Sequence, residues 1–202
     1  RLDRLGKPRL GAMLAAMREA DNKKECLVHS DSHVFNILVE SKPQPINLNE
    51  NKFGPKGSCY LVDWEMAHWS AQGRDIGLLY SFPIAAALFH AAQGHTDEAT
   101  DMIDCLQEHW EVYAQVLKEN GNKSHEYLTK TFRNAMGFCG LFLFMVFYLA
   151  GNMMEHIHKE DLLEDDTQKV MGLIGEMGLK FLEWSFMDDV AEANLGLDGF
   201  RR

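Results

Sequence analysis

Short apolar runs in the first third of the chain each end in polar residues. Cys26–Val28 leads into the polar segment 29–36, Ile37–Val39 follows that segment, and a third run, 59–62, precedes Asp63. Apolar runs of this length between polar clusters are typical of short buried strands. We therefore predict a small β-hairpin formed by the second and third runs, with the polar loop 29–36 held just before it.

Further along, the apolar positions change to helical spacing. Residues 76–92 are almost all apolar and predict a buried helix that Pro83 kinks. Gly94 is expected to end this helix, and Thr96 can open the next one, which the Asn-Gly pair at 120–121 is expected to end. A leading helix within 1–25 is predicted from the apolar residues Leu10, Met13, Leu14 and Met17.

A third long helix should begin at Ser124 and run into an uncharged segment, 134–154. This segment has the length of a marginal membrane span, since a span needs about 20 residues. Gly137 and Gly140 dilute its apolar character, and no strong basic flank follows it. We favour a helix buried in the protein core and leave a membrane span open.

The last predicted helix covers 166–186 and carries Gly172, Gly175 and Gly178 at every third position. Glycines weaken a helix, so a row of them favours a close crossing against the apolar helix before it. The helical part thus covers 75–186, and a loosely packed tail, 187–202, should follow.

Four oxygen-bearing side chains lie in the loop and just after the third apolar run: Asp31, Asn36, Asp63 and Glu65. Asp63 and Glu65 alternate along a predicted extended segment, where residues two apart point the same way. Carboxylate and amide oxygens are typical magnesium ligands, and phosphoryl transfer also needs a carboxylate that orients the attacking hydroxyl. The set therefore favours phosphoryl transfer.

The loop reads His-x-Asp-x-His-x-x-Asn over 29–36, and the strand after it ends in Asp-x-Glu. Together these resemble the catalytic loop and metal-binding segment of the aminoglycoside phosphotransferase and choline kinase superfamily. The methylthioribose kinase type is most similar, on Val-Asp-Trp-Glu-Met-Ala at 62–67 and Gly-Arg-Asp-Ile-Gly at 73–77. The resemblance covers roughly residues 20–90. It implies an α+β, mostly α fold, the protein-kinase-like C-terminal lobe, with 1–202 as a single lobe and 26–65 as its catalytic part.

The resemblance also implies an ATP- and Mg²⁺-dependent enzyme that phosphorylates a hydroxyl of a small molecule, such as methylthioribose, another sugar, an amino alcohol or an aminoglycoside. Asp31 would be the catalytic base. Asn36 and Asp63 would bind magnesium, and Glu65 would be a further metal contact.

The remaining polar residues of the motifs would support the loop. His29 and His33 would be the cofactor-binding residues, and they would brace the loop through hydrogen bonds to backbone or carboxylate rather than react. Asp75 would hold the loop after the metal site against the following helix. One departure from the family is Ser30, where glycine usually precedes the catalytic aspartate. If that position requires a conformation that glycine adopts cheaply, the loop is strained and activity is reduced.

Composition narrows the class of partner. The 202 residues carry a net charge of −10 without a basic stripe, which argues against nucleic acid. The four cysteines are scattered, and three lie in apolar runs, so we expect reduced core thiols in an intracellular, most simply cytoplasmic, protein; an organelle stays open. Zinc is disfavoured because no cysteine pair at ligand spacing accompanies His29 and His33.

Neither a G-x-G-x-x-G nor a P-loop precedes His29. We therefore expect the nucleotide-clamping N-terminal lobe to lie outside this chain. The insertion 40–57, rich in proline and glycine, is longer than a usual hairpin connection and is either a surface elaboration or a docking element. These features leave a second hypothesis open: a non-catalytic scaffold or binding subunit of a larger, even membrane-associated, assembly. Its protein partner would bind through 40–57 or in place of the missing lobe.

Overall fold

The computed structural model describes residues 6–39, 59–121, 124–145 and 164–186. In these ranges five helices accompany four three-residue strands, so the predicted class, α+β and mostly α, is confirmed. The helices are α1 (Lys7–Asp21), α2 (Gly73–Ala92), α3 (Thr96–Gly121), α4 (His125–Phe142) and α5 (Glu164–Ser185). The strands are β1 (Cys26–Val28), β2 (Ile37–Val39), β3 (Cys59–Leu61) and β4 (His68–Ser70).

The strands form two separate antiparallel pairs. β2 pairs with β3, with Ile37 opposite Leu61, which confirms the predicted hairpin. β1 pairs with β4, a strand that the apolar pattern did not reveal, and Val28 lies opposite His68. The expectation of buried strands is wrong for β2, because Leu38 and Val39 are mostly exposed.

The hydrophobic core lies among α2, α3, α4 and α5, and α2 runs through it without interruption at Pro83. Two glycines bring α2 onto the backbone of α4. A Cβ atom added at Gly77 would lie 2.4 Å from the carbonyl oxygen of Ala135, and one at Gly73 would lie 2.5 Å from the Ala135 nitrogen. The first turns of α2 are therefore packed directly against the backbone of α4. The polar loop is bonded to this same part of α2.

The other predicted helices are also found. α1 buries Met13, Met17 and Ala20 against Phe138 of α4 and Leu182 of α5. Ser124 caps α4 by accepting a hydrogen bond from the Tyr127 N–H at 3.2 Å.

The uncharged segment 134–154 is described as far as residue 145. Residues 135–140 of this segment lie in the core, where Ala135, Phe138 and Cys139 are fully buried, whereas Met145 is exposed. Among the described residues the helix with the length and composition of a membrane span is α2, and about half of its apolar stretch is buried inside the protein. Residues 146–154, the insertion 40–57 and the tail 187–202 lie outside the described residues.

The predicted glycine crossing is confirmed at one position of α5 and wrong at another. A Cβ at Gly178 would lie 2.8 Å from the Gly140 oxygen, and one at Gly140 would lie 2.5 Å from the Gly178 oxygen. Gly172 meets nothing within 4 Å among the described residues. The facing pair Gly140 and Gly178 therefore marks a close crossing of α4 and α5, and a Cβ at Gly137 would also lie 2.8 Å from the Ser185 hydroxyl oxygen of α5.

The cysteines are all free, but they are not all in the core. Cys139 is buried, Cys26 is half-buried, and Cys59 and Cys105 are exposed. The expectation of core thiols therefore fails at Cys59 and Cys105: the strand of Cys59, β3, faces solvent along most of its length, and Cys105 lies on an exposed face of α3.

Candidate functional site

The carboxylate of Asp75, in the first turn of α2, holds the backbone at the start of the polar loop. Its two oxygens accept hydrogen bonds from the His29 N–H and the Ser30 N–H, both at 2.8 Å. The Ser32 hydroxyl donates to the Asp75 carbonyl at 3.0 Å and to its carboxylate at 3.2 Å. The resemblance predicted that Asp75 would hold the loop after the metal site. In the described structure its carboxylate binds the loop before that site, the one that carries Asp31.

His29 is buried and uses both ring nitrogens to brace the loop. Its Nδ1 accepts a hydrogen bond from the Asp31 N–H at 3.2 Å, so Nε2 carries the proton and donates to the Val62 carbonyl at 2.7 Å. The Trp64 ring packs edge-on against His29, with centroids 4.7 Å apart. The histidine thus joins the loop to the end of β3, which is the bracing role expected for it.

Asp31 is held by Asn36 from the far end of the same loop. The Asn36 amide nitrogen donates to the Asp31 carbonyl at 2.9 Å and to its Oδ2 at 3.1 Å. The Nε2 of His33 lies 3.4 Å from the same Oδ2. Within the described residues these contacts leave the Asp31 Oδ1 and the Asn36 side-chain oxygen without a hydrogen-bond donor. One carboxylate oxygen is therefore fixed, and the other can accept a proton from a bound hydroxyl.

A backbone hydrogen bond ties the segment that carries Asp63 to Asn36. The Val62 N–H donates to the Asn36 carbonyl at 2.9 Å, so the residue before Asp63 is tied to the end of the loop. Asp63 has a left-handed backbone, with φ 66° and ψ 61°, and Glu65 lies in the 3₁₀ turn Trp64–Met66. The predicted extended segment with both carboxylates on one side is therefore wrong, because the chain turns at Asp63. Both side chains are exposed.

Ser30 has the left-handed backbone conformation that glycine adopts most easily. Its φ is 71°, in the left-handed region that glycine adopts without cost. The Ser30 hydroxyl lies 2.9 Å from the Nδ1 of His68, on β4. That nitrogen also lies 3.1 Å from the Met66 carbonyl, and the His68 Nε2 lies 3.4 Å from Asp21.

Within the loop, His33 lies among aromatic rings. Its ring centroid is 5.7 Å from that of Phe35 and 5.6 Å from that of Phe82. Its Nδ1 is buried and has no hydrogen-bond partner among the described residues. The contact with Asp31 therefore requires the proton on Nε2, which faces the carboxylate.

The oxygen donors of this region are of the chemical type that a hard divalent cation prefers. Within the described residues no group of three or more histidine, cysteine, aspartate or glutamate side chains could hold a metal ion. Magnesium, however, is usually bound by one or two carboxylates together with substrate phosphates. An amide oxygen from Asn36 and the carboxylates of Asp63 and Glu65 are ligands of that kind.

Two parts of the site were not found from the sequence. His68 and Asp21 carry no spacing signal relative to the loop, since they meet it only through the pairing of β1 with β4 and the end of α1. Arg74 donates to Asp21 at 2.6 Å and stacks over Phe138, 5.6 Å from the ring centroid, which fixes this end of the network.

Comparison with protein-family models, with curated proteins and with solved structures found no match.

Proposed function

We propose that the protein is an ATP- and magnesium-dependent phosphotransferase that acts on a hydroxyl of a small molecule, a sugar or an amino alcohol. In this proposal the described helices and the hairpin belong to a kinase-like C-terminal lobe. The observation that supports it best is the fixed Asp31 carboxylate, which Asn36 holds through one oxygen while the other lacks a donor within the described residues.

The loop geometry supports a base that is positioned before substrate arrives. Asp75 fixes the backbone just before Asp31, and His29 accepts the hydrogen bond of the Asp31 N–H itself. Phosphoryl transfer depends mainly on positioning and electrostatics, so such a loop suits this chemistry. Asp31 would orient the acceptor hydroxyl and accept its proton.

The metal would be held by Asn36, Asp63 and Glu65. Magnesium supplies charge neutralisation of the phosphate oxygens when it is bound. The Asn36 amide has its nitrogen committed to Asp31, which leaves its oxygen for this role.

The experiment that tests the proposal is calorimetric titration of ATP, with and without Mg²⁺, into the protein expressed from its complete gene. We expect magnesium-dependent binding. Asp63→Ala should abolish the magnesium dependence, and Asp31→Asn should retain binding but lose phosphate transfer by about 100-fold or more, the usual contribution of a general base. The substrate screen would use small sugars and amino alcohols, with release of ADP as the readout.

Two results would count against the enzyme. One is the absence of ATP binding to the folded protein, and the other is full transfer activity in the Asp31→Asn variant. Circular dichroism of each variant provides the control for folding.

A non-catalytic scaffold is the second candidate, and Ser30 is the observation that favours it. A non-glycine residue at φ 71° next to the proposed base strains the loop, and a protein without turnover has no need to relieve that strain. The same titration distinguishes the enzyme from the scaffold, because a scaffold would show no magnesium-dependent binding of ATP.

A further inference from the structure

A hydrogen-bonded chain links the end of α1 to the loop that carries Asp31. In the β1–β4 pair His68 lies opposite Val28, and Val28 precedes Ser30 by two residues. From there its Nδ1 reaches the Ser30 hydroxyl at 2.9 Å, and its Nε2 lies 3.4 Å from the Asp21 carboxylate.

The anchor of this chain is well held. The Asp21 oxygen that faces His68 also accepts hydrogen bonds from the Ser70 hydroxyl at 2.8 Å and from Arg74 at 2.6 Å. A carboxylate opposite Nε2 favours the tautomer with its proton there, which leaves Nδ1 as an acceptor. In that tautomer Nδ1 cannot donate to the Met66 carbonyl 3.1 Å away, so the Ser30 hydroxyl supplies its hydrogen bond.

We propose that His68 is a positioning residue for Asp31: it holds Ser30 in the left-handed conformation from which the loop continues. This inference rests on the proposed function, because Asp31 needs to be positioned only if it acts as the catalytic base. The backbone at Ser30 directs the next N–H, that of Asp31, toward the Nδ1 of His29. With serine in place of glycine, the hydrogen bond from its hydroxyl offsets part of the conformational cost.

The residue types in this chain are those of a hydrolytic triad, but the surroundings do not fit one. Ser30 is buried, and its N–H donates to Asp75, while the Asp31 N–H donates to His29. A hydrolase needs free N–H donors for the oxyanion beside its serine. The hydrogen bonds that link Asp21, His68 and Ser30 therefore position the loop rather than catalyse hydrolysis.

The test is a double-mutant cycle of His68→Phe and Ser30→Gly, read by amide hydrogen exchange in NMR spectra. In the natural background we expect His68→Phe to accelerate exchange of the Asp31 amide about five- to tenfold, the effect of one lost hydrogen bond. In the Ser30→Gly background the same substitution should change it less than about twofold, because glycine needs no support at this φ. The Phe138 amide, in the core of α4, reports global unfolding and is the reference against which the change at Asp31 is compared.

Ser30→Ala provides a second route if His68→Phe folds poorly, since it removes the donor and keeps the histidine. It should reproduce the faster exchange at Asp31. Equal effects of His68→Phe in both backgrounds, or no effect of either substitution on Asp31, would overturn the proposal. Because exchange is measured without substrate, this result is independent of phosphate transfer: a protein that shows the coupling but no turnover would refute the proposed function alone.

Discussion

Two non-glycine residues in the described ranges have a left-handed backbone, and both border the candidate site. Ser30 directly precedes Asp31, and Asp63 is itself a proposed magnesium ligand. This conformation costs a residue with a side chain about 1–2 kcal/mol and persists where neighbouring contacts impose it. At Ser30 the contacts are Asp75 and His68, so the polar ties of the loop maintain its shape.

Asp75 offers a direct measure of these ties. We expect Asp75→Asn to lower the free energy of unfolding by about 2–3 kcal/mol, because an amide oxygen and an amide N–H₂ replace the acceptors that now serve three loop donors. Urea denaturation would measure the change. Asp101→Asn, at an exposed position of α3, is the matched control and should change stability by less than about 0.5 kcal/mol. Similar losses in both variants would show that the loop contacts contribute little.

At the residue level the sequence predicted which side chains would meet, but not all of their geometry. Asp31 and Asn36 meet as expected, because five residues of one loop connect them. Glu65 does not alternate with Asp63, since the left-handed turn at Asp63 ends the strand. His68 was missed, because the pairing that brings it to Ser30 joins segments far apart in the chain.

At the level of elements, the facing glycines of α4 and α5 allow a sharp comparison. We expect Gly178→Ala to destabilise the protein by about 1–3 kcal/mol, because its Cβ would lie 2.8 Å from the Gly140 carbonyl and the helices would have to separate. In the same helix Gly172→Ala meets open space among the described residues and should stabilise by about 0.5–1 kcal/mol. Thermal unfolding followed by circular dichroism would measure both changes. A stabilising effect at Gly178 would contradict the close crossing.

Helices were predicted more accurately than strands, and the reason is physical. α3 begins at Thr96 and ends at Gly121 as its breakers indicated, because the helical period extends over many residues and the ends carry their own signals. The strands have three residues each, and β4, His-Trp-Ser, has no apolar run to reveal it. Its existence depends on pairing with β1, a contact that local sequence does not encode.

In the molecule as a whole, the helical core and the strand region are stabilised differently. The core buries large side chains from α2 to α5, including Tyr80, Phe138 and Ile174. The strands bury Val28 but leave apolar residues exposed: Leu27, Leu38, Tyr60 and Trp69. The candidate site thus depends on hydrogen bonds to α1 and α2 more than on the burial of apolar side chains. Regions with few buried apolar contacts open at lower free energy than the core.

Cysteine reactivity tests this division across the molecule. Burial raises the pKa of the Cys139 thiol, so in the folded protein at about pH 8 its reactive thiolate is scarce. The pKa of Cys26 is also raised, by burial first and then by the carboxylates of Asp75 and Glu25. We therefore expect a disulfide reagent to label the exposed Cys59 and Cys105 in the native state.

In a variant that keeps Cys139 as its one cysteine, with serine at the other three positions, labelling should follow the urea unfolding curve, because the thiol lies at the α2–α4 contact. In the matched variant that keeps Cys59, labelling should be complete before any unfolding occurs. Rapid native labelling of Cys139 would mean that the helical core opens as readily as the strands, and the assignment of stability to the core would then be wrong.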